Sequence, residues 1–100
     1  MPMISRNNDL AATGHGCTSV IGVRATCTSV FANTKPVARP GDRLKPHTIP
    51  VCCPLRCVGH SAKINRGSRT VFAQRIPVAR FSDSADMGKM IQGSFNVFAG

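Results

Sequence analysis

The feature that most restricts how this chain can fold is a 13-residue stretch that occurs twice. V-F-A-N-T-K-P-V-A-R-P-G-D runs from Val30 to Asp42, and V-F-A-Q-R-I-P-V-A-R-F-S-D runs from Val71 to Asp83, 41 residues later and without insertion. A third copy is divided between the chain ends. V-F-A-G, Val97 to Gly100, continued by M-P-M-I-S-R-N-N-D, Met1 to Asp9, again gives 13 residues with Arg and Asp in the same slots. Arg6, Arg39 and Arg80 are therefore equivalent, as are Asp9, Asp42 and Asp83, and Phe98, Phe31 and Phe72. Repetition of this kind sets an architecture, because one unit cannot bury its apolar face alone.

Each copy reads as a β-hairpin. Val30-Phe31-Ala32 is a short strand of β-favouring residues, Asn33-Thr34-Lys35 a turn, and Pro36 the entry to a second strand, Val37-Ala38-Arg39. A hairpin made from the two chain ends puts the termini side by side. Three hairpins around a pseudo-threefold axis accomplish this most simply. The reading is thus a single, mainly β domain over residues 1–100, with repeats at 30–42, 71–83 and 97–100 joined with 1–9. Unequal linkers, Leu10 to Ser29, Arg43 to Thr70 and Ser84 to Asn96, connect them. None has a sustained 3.6-residue apolar period, so little or no helix is predicted, beyond a short helical turn in S-A-D-M-G-K-M-I-Q-G-S. The 28-residue second linker calls for internal cross-linking if it lacks strands of its own.

A core for 100 residues without Trp or Tyr must come from Val, Ile, Ala, Met and five Phe. Small domains of this size often rely on a metal, disulfides or a partner. Thirteen Lys and Arg against four Asp give a formal charge of +9. Such a surface suits nucleic acid, anionic lipid or an acidic protein, or serves solubility alone. The N-terminus lacks the apolar segment of a signal peptide, and no apolar run approaches the roughly 20 residues of a membrane span. Synthesis in a reducing cytoplasm follows as the expectation. There the odd count of five Cys favours metal ligation over a disulfide framework. The neighbours Cys52 and Cys53 look poorly placed to bridge each other.

All three His fall in the first two linkers, four of the five Cys lie in the same two His-bearing segments, and neither residue type occurs in the repeat body. His15 lies in G-H-G-C, and His47 and His60 in P-H-T-I-P-V-C-C-P-L-R-C-V-G-H. Imidazole and thiolate suit tetrahedral zinc. Cys57-Val58-Gly59-His60 can supply two ligands from one loop, so the best quartet is His15, His47, Cys57 and His60. Four protein ligands make a closed, structural site. Cys52 and Cys53 compete with Cys57 for the thiolate position. Cys17 is a ligand or a packing residue, and Cys27, just ahead of a strand, reads as a small buried hydrophobe. Iron is the other candidate metal. Catalysis is poorly served. Three of the four acids sit three residues after an Arg, as repeated Arg–Asp turns, and Asp86 is the only spare one. No phosphate-binding glycine loop or H-E-x-x-H motif is present.

P-V-A-R at Pro36 to Arg39 and at Pro77 to Arg80 resembles the proline-alanine-alanine-arginine motif of PAAR-repeat proteins. The opening I-S-R, the G-H-G-C segment, the S-V-F and T-V-F strands and the closing G-S-F-N-V-F-A-G are similar to the same family, over essentially the whole chain. The resemblance implies a cone-shaped tip that caps the trimeric β-helical spike of a contractile injection machine, in a phage tail baseplate or a type VI secretion system. It implies a zinc near the apex held by three His and one Cys. These carry over onto His15, His47 and His60. In many members the Cys lies in the last linker, where this chain has Met87, so Cys57 takes that place.

A monomer with near-threefold symmetry suits a true trimer as partner, because it presents nearly one surface to each subunit. The expected base comprises Ile4, Arg6, Val37, Arg39, Val78 and Arg80, with the metal-pinned linkers at the point. The expectation is a structural, membrane-piercing protein and not an enzyme, placed at a virion tail tip, with the target envelope as a second contact for its basic surface. A small basic zinc module for nucleic acid is the alternative. It calls for a recognition helix or aromatic platform that the sequence does not suggest.

Overall fold

The computed structural model describes residues 1–100. Ten short strands run in chain order: β1 (Leu10–Ala12), β2 (Val20–Gly22), β3 (Phe31–Ala32), β4 (Lys35–Pro36), β5 (His47–Val51), β6 (Arg56–His60), β7 (Phe72–Ala73), β8 (Ile76–Pro77), β9 (Ser84–Ala85) and β10 (Gly88–Met90). There is no helix. β3–β4, β5–β6 and β7–β8 are separate antiparallel ribbons, and β2-β1-β10-β9 form one sheet. The body measures 45 × 24 × 20 Å.

The repeated hairpins close through two-residue turns. Asn33 and Thr34 hold φ of 54° and 65°, and Gln74 and Arg75 hold 52° and 68°. Positive φ at both central residues gives a turn whose twist matches its strands. The turn is one residue shorter than the sequence suggests. Lys35 and Pro36 belong to the strand, with Pro36 opposite Phe31 and Pro77 opposite Phe72. An imide nitrogen is tolerated there because each ribbon has an open edge. Met3 pairs with Phe98 in the same manner, so the chain ends lie side by side. One bond recurs in all three copies: the N–H of Ile4, Val37 and Val78 donates to the carbonyl of Val97, Val30 and Val71 at 2.9, 3.1 and 3.1 Å.

The copies then bond to one another in a closed ring. The Ser5 N–H donates to Ala79, Ala79 to Ala38, and Ala38 back to Ser5, at 3.0, 2.8 and 2.9 Å. All three residues are fully buried, and only small side chains allow backbones to converge so closely. Next comes the Arg-x-x-Asp turn. The N–H of Asp9, Asp42 and Asp83 donates to the carbonyl of Arg6, Arg39 and Arg80 at 3.0 Å in each copy. The residue before each Asp (Asn8, Gly41, Ser82) has a positive φ of 70°, 94° and 75°. Arg6 and Arg80 pair with their Asp through Nε at 2.9 and 3.0 Å. Arg39 differs. Thr26 Oγ stands between it and Asp42, accepting from Nη2 at 3.1 Å, and Arg39 Nε is buried without a partner.

After each Asp the chain leaves the frame and returns at Val23, Ile64 and Met90. Their N–H groups donate to the carbonyls of Asp9, Asp42 and Asp83 at 3.0, 2.9 and 2.8 Å. The excursions are hairpins. The second linker carries the five-residue β5–β6 ribbon, and so has the secondary structure that the sequence does not announce. The third is the β9–β10 hairpin, turned at Asp86 and Met87, in place of the expected helical turn. Gly88 explains this. Its Cα lies so close to β1 that an added Cβ would stand 2.1 Å from the Ala12 carbonyl oxygen, which fixes the segment as extended backbone. Two apolar clusters fill the frame. One unites Ile4, Val37 and Val78 with Ala32, Ala73, Ala99 and Cys27. The other unites Val23, Ile64 and Met90 with Ala11, Leu44, Ala85, Ala38 and Ala79.

Candidate metal centre

The three excursions meet at one cluster. His15 lies in the bend between β1 and β2, Asp86 in the turn between β9 and β10, and His47 and His60 face each other across the open end of the β5–β6 ribbon. His15 Nε2 and His47 Nε2 lie 2.8 and 2.9 Å from Asp86 Oδ2, and His60 Nε2 lies 3.1 Å from Oδ1. One ligand atom from each of the four residues lies within 4.8 Å of the others. The His15 and His47 rings stack at 5.3 Å, and the His60 ring stands edge-on to both at 5.0 and 4.9 Å. His47 is fully enclosed and the Asp86 side chain is 3% exposed, while His60 is the open side at 24%.

Ring orientation is set from behind. His15 Nδ1 donates to the Gly16 carbonyl at 2.9 Å, and His47 Nδ1 to the Lys45 carbonyl at 2.8 Å. A carbonyl only accepts, so each bond fixes a proton on Nδ1 and turns Nε2 inward, as outer-shell partners of metal-bound imidazoles do. The Gly16 carbonyl raises the His15 pKa above its ordinary value; burial opposes it, and the Asp86 carboxylate adds to the rise. Burial pushes the Asp86 carboxyl up, but hydrogen bonds from His60, His47 and His15 and the charge on His15 outweigh it, and the net shift is downward. A buried carboxylate ringed by imidazoles and paired with no Lys or Arg offers three nitrogens and one oxygen to a cation. That donor set fits a divalent ion with borderline preferences, and four protein ligands leave no open position. An open cavity of about 360 Å³ lined by Arg43, Ser61, Ala62, Lys63, Asn65 and Asp86 adjoins the cluster.

The structure therefore brings together His15, His47 and His60 but not Cys57. Cys57 is bonded to Cys17, with Cα atoms 5.9 Å apart, and has no thiolate to offer. Strand geometry gives the reason. Cys57 and His60 are three apart in β6, and an odd separation puts side chains on opposite faces. Cys52 and Cys53, the other thiolate candidates, are bonded to each other in the turn beyond Val51, against the expectation that neighbours would not bridge. The metal-over-disulfide reading of the cysteines thus gives way to two disulfides, with Cys27 free and buried as read. Asp86 is the residue that sequence reasoning passed over. Its signal was present: it alone among the acids stands outside an Arg-x-x-Asp turn.

The expected base residues are also placed differently. Ile4, Val37 and Val78 are core, and Arg6 and Arg39 are buried. The ribbons turn Ala32 and Ala73 inward, where they pack with Ile4, Val37 and Val78, which follow the second strands. The opposite face presents Phe31, Phe72 and Phe98, which are 54%, 55% and 44% exposed. No protein-family model matches the chain, and no curated protein is significantly similar to it.

Proposed function

We propose that this chain is a PAAR-like tip, a cone that caps the trimeric β-helical spike of a contractile injection machine in a phage tail baseplate or a type VI secretion apparatus. The observation that carries the reading is the closed ring of Ser5, Ala79 and Ala38, three equivalent positions bonded head to tail. A ring of this kind is what a pseudo-threefold axis through one chain requires. Around it, equivalent positions of three hairpins each expose a phenylalanine. Three matching apolar contacts suit a partner with three identical subunits. Exposed aromatic anchors are also the residues that dominate interfaces.

In this reading the three phenylalanines form the base and the unequal excursions form the point, with His15, His47, His60 and Asp86 pinning them through one structural zinc. Iron is the other ion that the donor set admits. Bound there, zinc would cross-link the separate β5–β6 ribbon to the sheet that the first and third excursions share, which suits a part loaded mechanically. The surplus positive charge faces an anionic envelope. The protein acts by shape and stiffness, and no catalytic step is assigned to it.

The test is assembly. Mixed with a trimeric β-helical tail spike, the chain should cap it at one copy per trimer by native mass spectrometry. The Phe31→Ser, Phe72→Ser, Phe98→Ser triple variant should fold and fail to bind. A wild-type chain that does not cap, or a triple variant that caps equally well, defeats the proposal. Elemental analysis should find one zinc per chain.

A further inference from the structure

We propose that the Cys17–Cys57 disulfide is a reducible latch on the metal centre, a site at which thiol–disulfide exchange sets how long the ion is held. The proposal rests on the metal reading above. Four sulfurs gather around the longest hairpin, and all four of their residues are exposed, whereas the fifth cysteine, Cys27, is buried and unbonded. Disulfides that hold a core together are shielded; exposed ones are the labile and regulatory kind.

The connectivity shows what this bond controls. His47 and His60 are fixed by their mutual register in β5–β6. Asp86 is fixed by its N–H to the Lys63 carbonyl at 3.0 Å and by Asn65 Nδ2 to its own carbonyl at 3.2 Å. His15 lies in a bend with no strand partner. That bend is tied to the β5–β6 ribbon by hydrogen bonds between Thr18 and Thr48 alone, one of them long at 3.3 Å, and by the covalent link two residues beyond His15. Cys57 faces away from His60, so the sulfurs are not ligands. The bond restrains a ligand loop from outside.

The exchange balances with an external dithiol as the reductant. One thiolate of a small or protein dithiol attacks a sulfur of the Cys17–Cys57 bond, the S–S bond breaks, and a mixed disulfide forms. The second thiol of the reductant displaces the remaining cysteine. Cys17 and Cys57 gain two electrons and two protons, and the reductant leaves as a disulfide. Freed at Cys17, the His15 bend keeps only its Thr18 bonds to the ribbon. The Cys52–Cys53 bond undergoes the same chemistry, but both its ends lie in one turn, so opening it frees no ligand. It serves as the internal control.

The full-length protein, its Cys17→Ser/Cys57→Ser variant and its Cys52→Ser/Cys53→Ser variant are loaded with one equivalent of zinc. Release to a chromophoric chelator is timed. A wild-type sample reduced with dithiothreitol, alkylated, desalted and reloaded completes the set. Release should be about tenfold to a hundredfold faster from the reduced protein and from Cys17→Ser/Cys57→Ser, the range found when outer-shell support is lost. Cys52→Ser/Cys53→Ser, not reduced, should match wild type. Equal rates throughout, or acceleration confined to Cys52→Ser/Cys53→Ser, overturn the latch while leaving the metal site standing. Failure of the unreduced wild type to take up zinc overturns the metal reading and the latch with it. Amide exchange at Ser5, Ala38 and Ala79 supplies the second readout. Protection there should survive opening of the latch, and its loss would show that the bond holds the fold and not the site.

Discussion

Asp86→Asn separates the carboxylate-centred site from a thiolate-centred one. The substitution keeps the shape of the side chain and one oxygen, and removes the charge on which three imidazoles converge at 2.8, 2.9 and 3.1 Å. Structural zinc is held with roughly 12 kcal/mol in small domains, so one ligand of four accounts for about 3 kcal/mol. Zinc affinity in a chelator competition should therefore fall about 100-fold. Cobalt substitution gives an independent reading. A site of three nitrogens and one oxygen has no thiolate-to-cobalt charge-transfer band in the near ultraviolet, and Asp86→Cys should introduce one. Wild-type zinc affinity in Asp86→Asn, or a thiolate band in the unaltered protein, would refute the assignment and return the fourth position to a cysteine.

Three further outcomes follow from the frame and the site. Asp9→Asn leaves the Arg6 guanidinium, 9% exposed, without its buried partner, and should cost about 3–5 kcal/mol in urea unfolding. Asp83→Asn, beside an Arg80 side chain that is 20% exposed, should cost about 1–2 kcal/mol, and equal losses would contradict the burial difference. Gly88→Ala puts a methyl 2.1 Å from the Ala12 carbonyl and should destabilise by about 3 kcal/mol, whereas Gly59→Ala meets nothing within 4 Å and should stay within about 0.5 kcal/mol of wild type by thermal denaturation. In the metal-free protein the stability due to His15 is complete below its ordinary pKa of 6.5 and is lost as pH rises through the raised value; that due to Asp86 is complete above 3.8 and is lost as pH falls through the lowered value. Zinc requires unprotonated imidazoles, so zinc-loaded protein should gain thermal stability with pH where metal-free protein loses it, and slopes of one sign would exclude these histidines as ligands.

The hairpins were legible because their determinants are local. A Val-Phe-Ala strand and a Pro-led return flank each turn, whose length alone was misread by one residue, and a matching segment at each chain end completes the third copy. The returning positions were not legible. Val23, Ile64 and Met90 each precede a copy by seven residues and make the same backbone bond to an Asp. The requirement there is a main-chain donor and an apolar side chain that fits the second cluster, and Val, Ile and Met all satisfy it. Equivalence enforced through the backbone leaves little trace in residue identity.

The site shows a different limit. Three histidines in a histidine-poor chain point to themselves, and so the three imidazoles of the cluster were named from identity alone. The fourth position depends on which side of a strand a residue faces, and that parity is invisible until register is known. Cys57 fails by one residue of parity in β6. Asp86 succeeds because Gly88, pressed against Ala12, holds its turn under the histidines. The inequality of the linkers then has a reason. A frame whose three copies make the same backbone bonds provides no asymmetric place for one ion. Excursions spanning Leu10–Gly22, Arg43–Lys63 and Ser84–Lys89 bring one, two and one side chains of the cluster to a single point. The longest does so by folding into a ribbon whose open end carries both of its histidines in register. Lengthening the shortest excursion by two residues between Met87 and Gly88 should therefore leave the ring of Ser5, Ala38 and Ala79 intact and abolish zinc binding, because it displaces Asp86 alone.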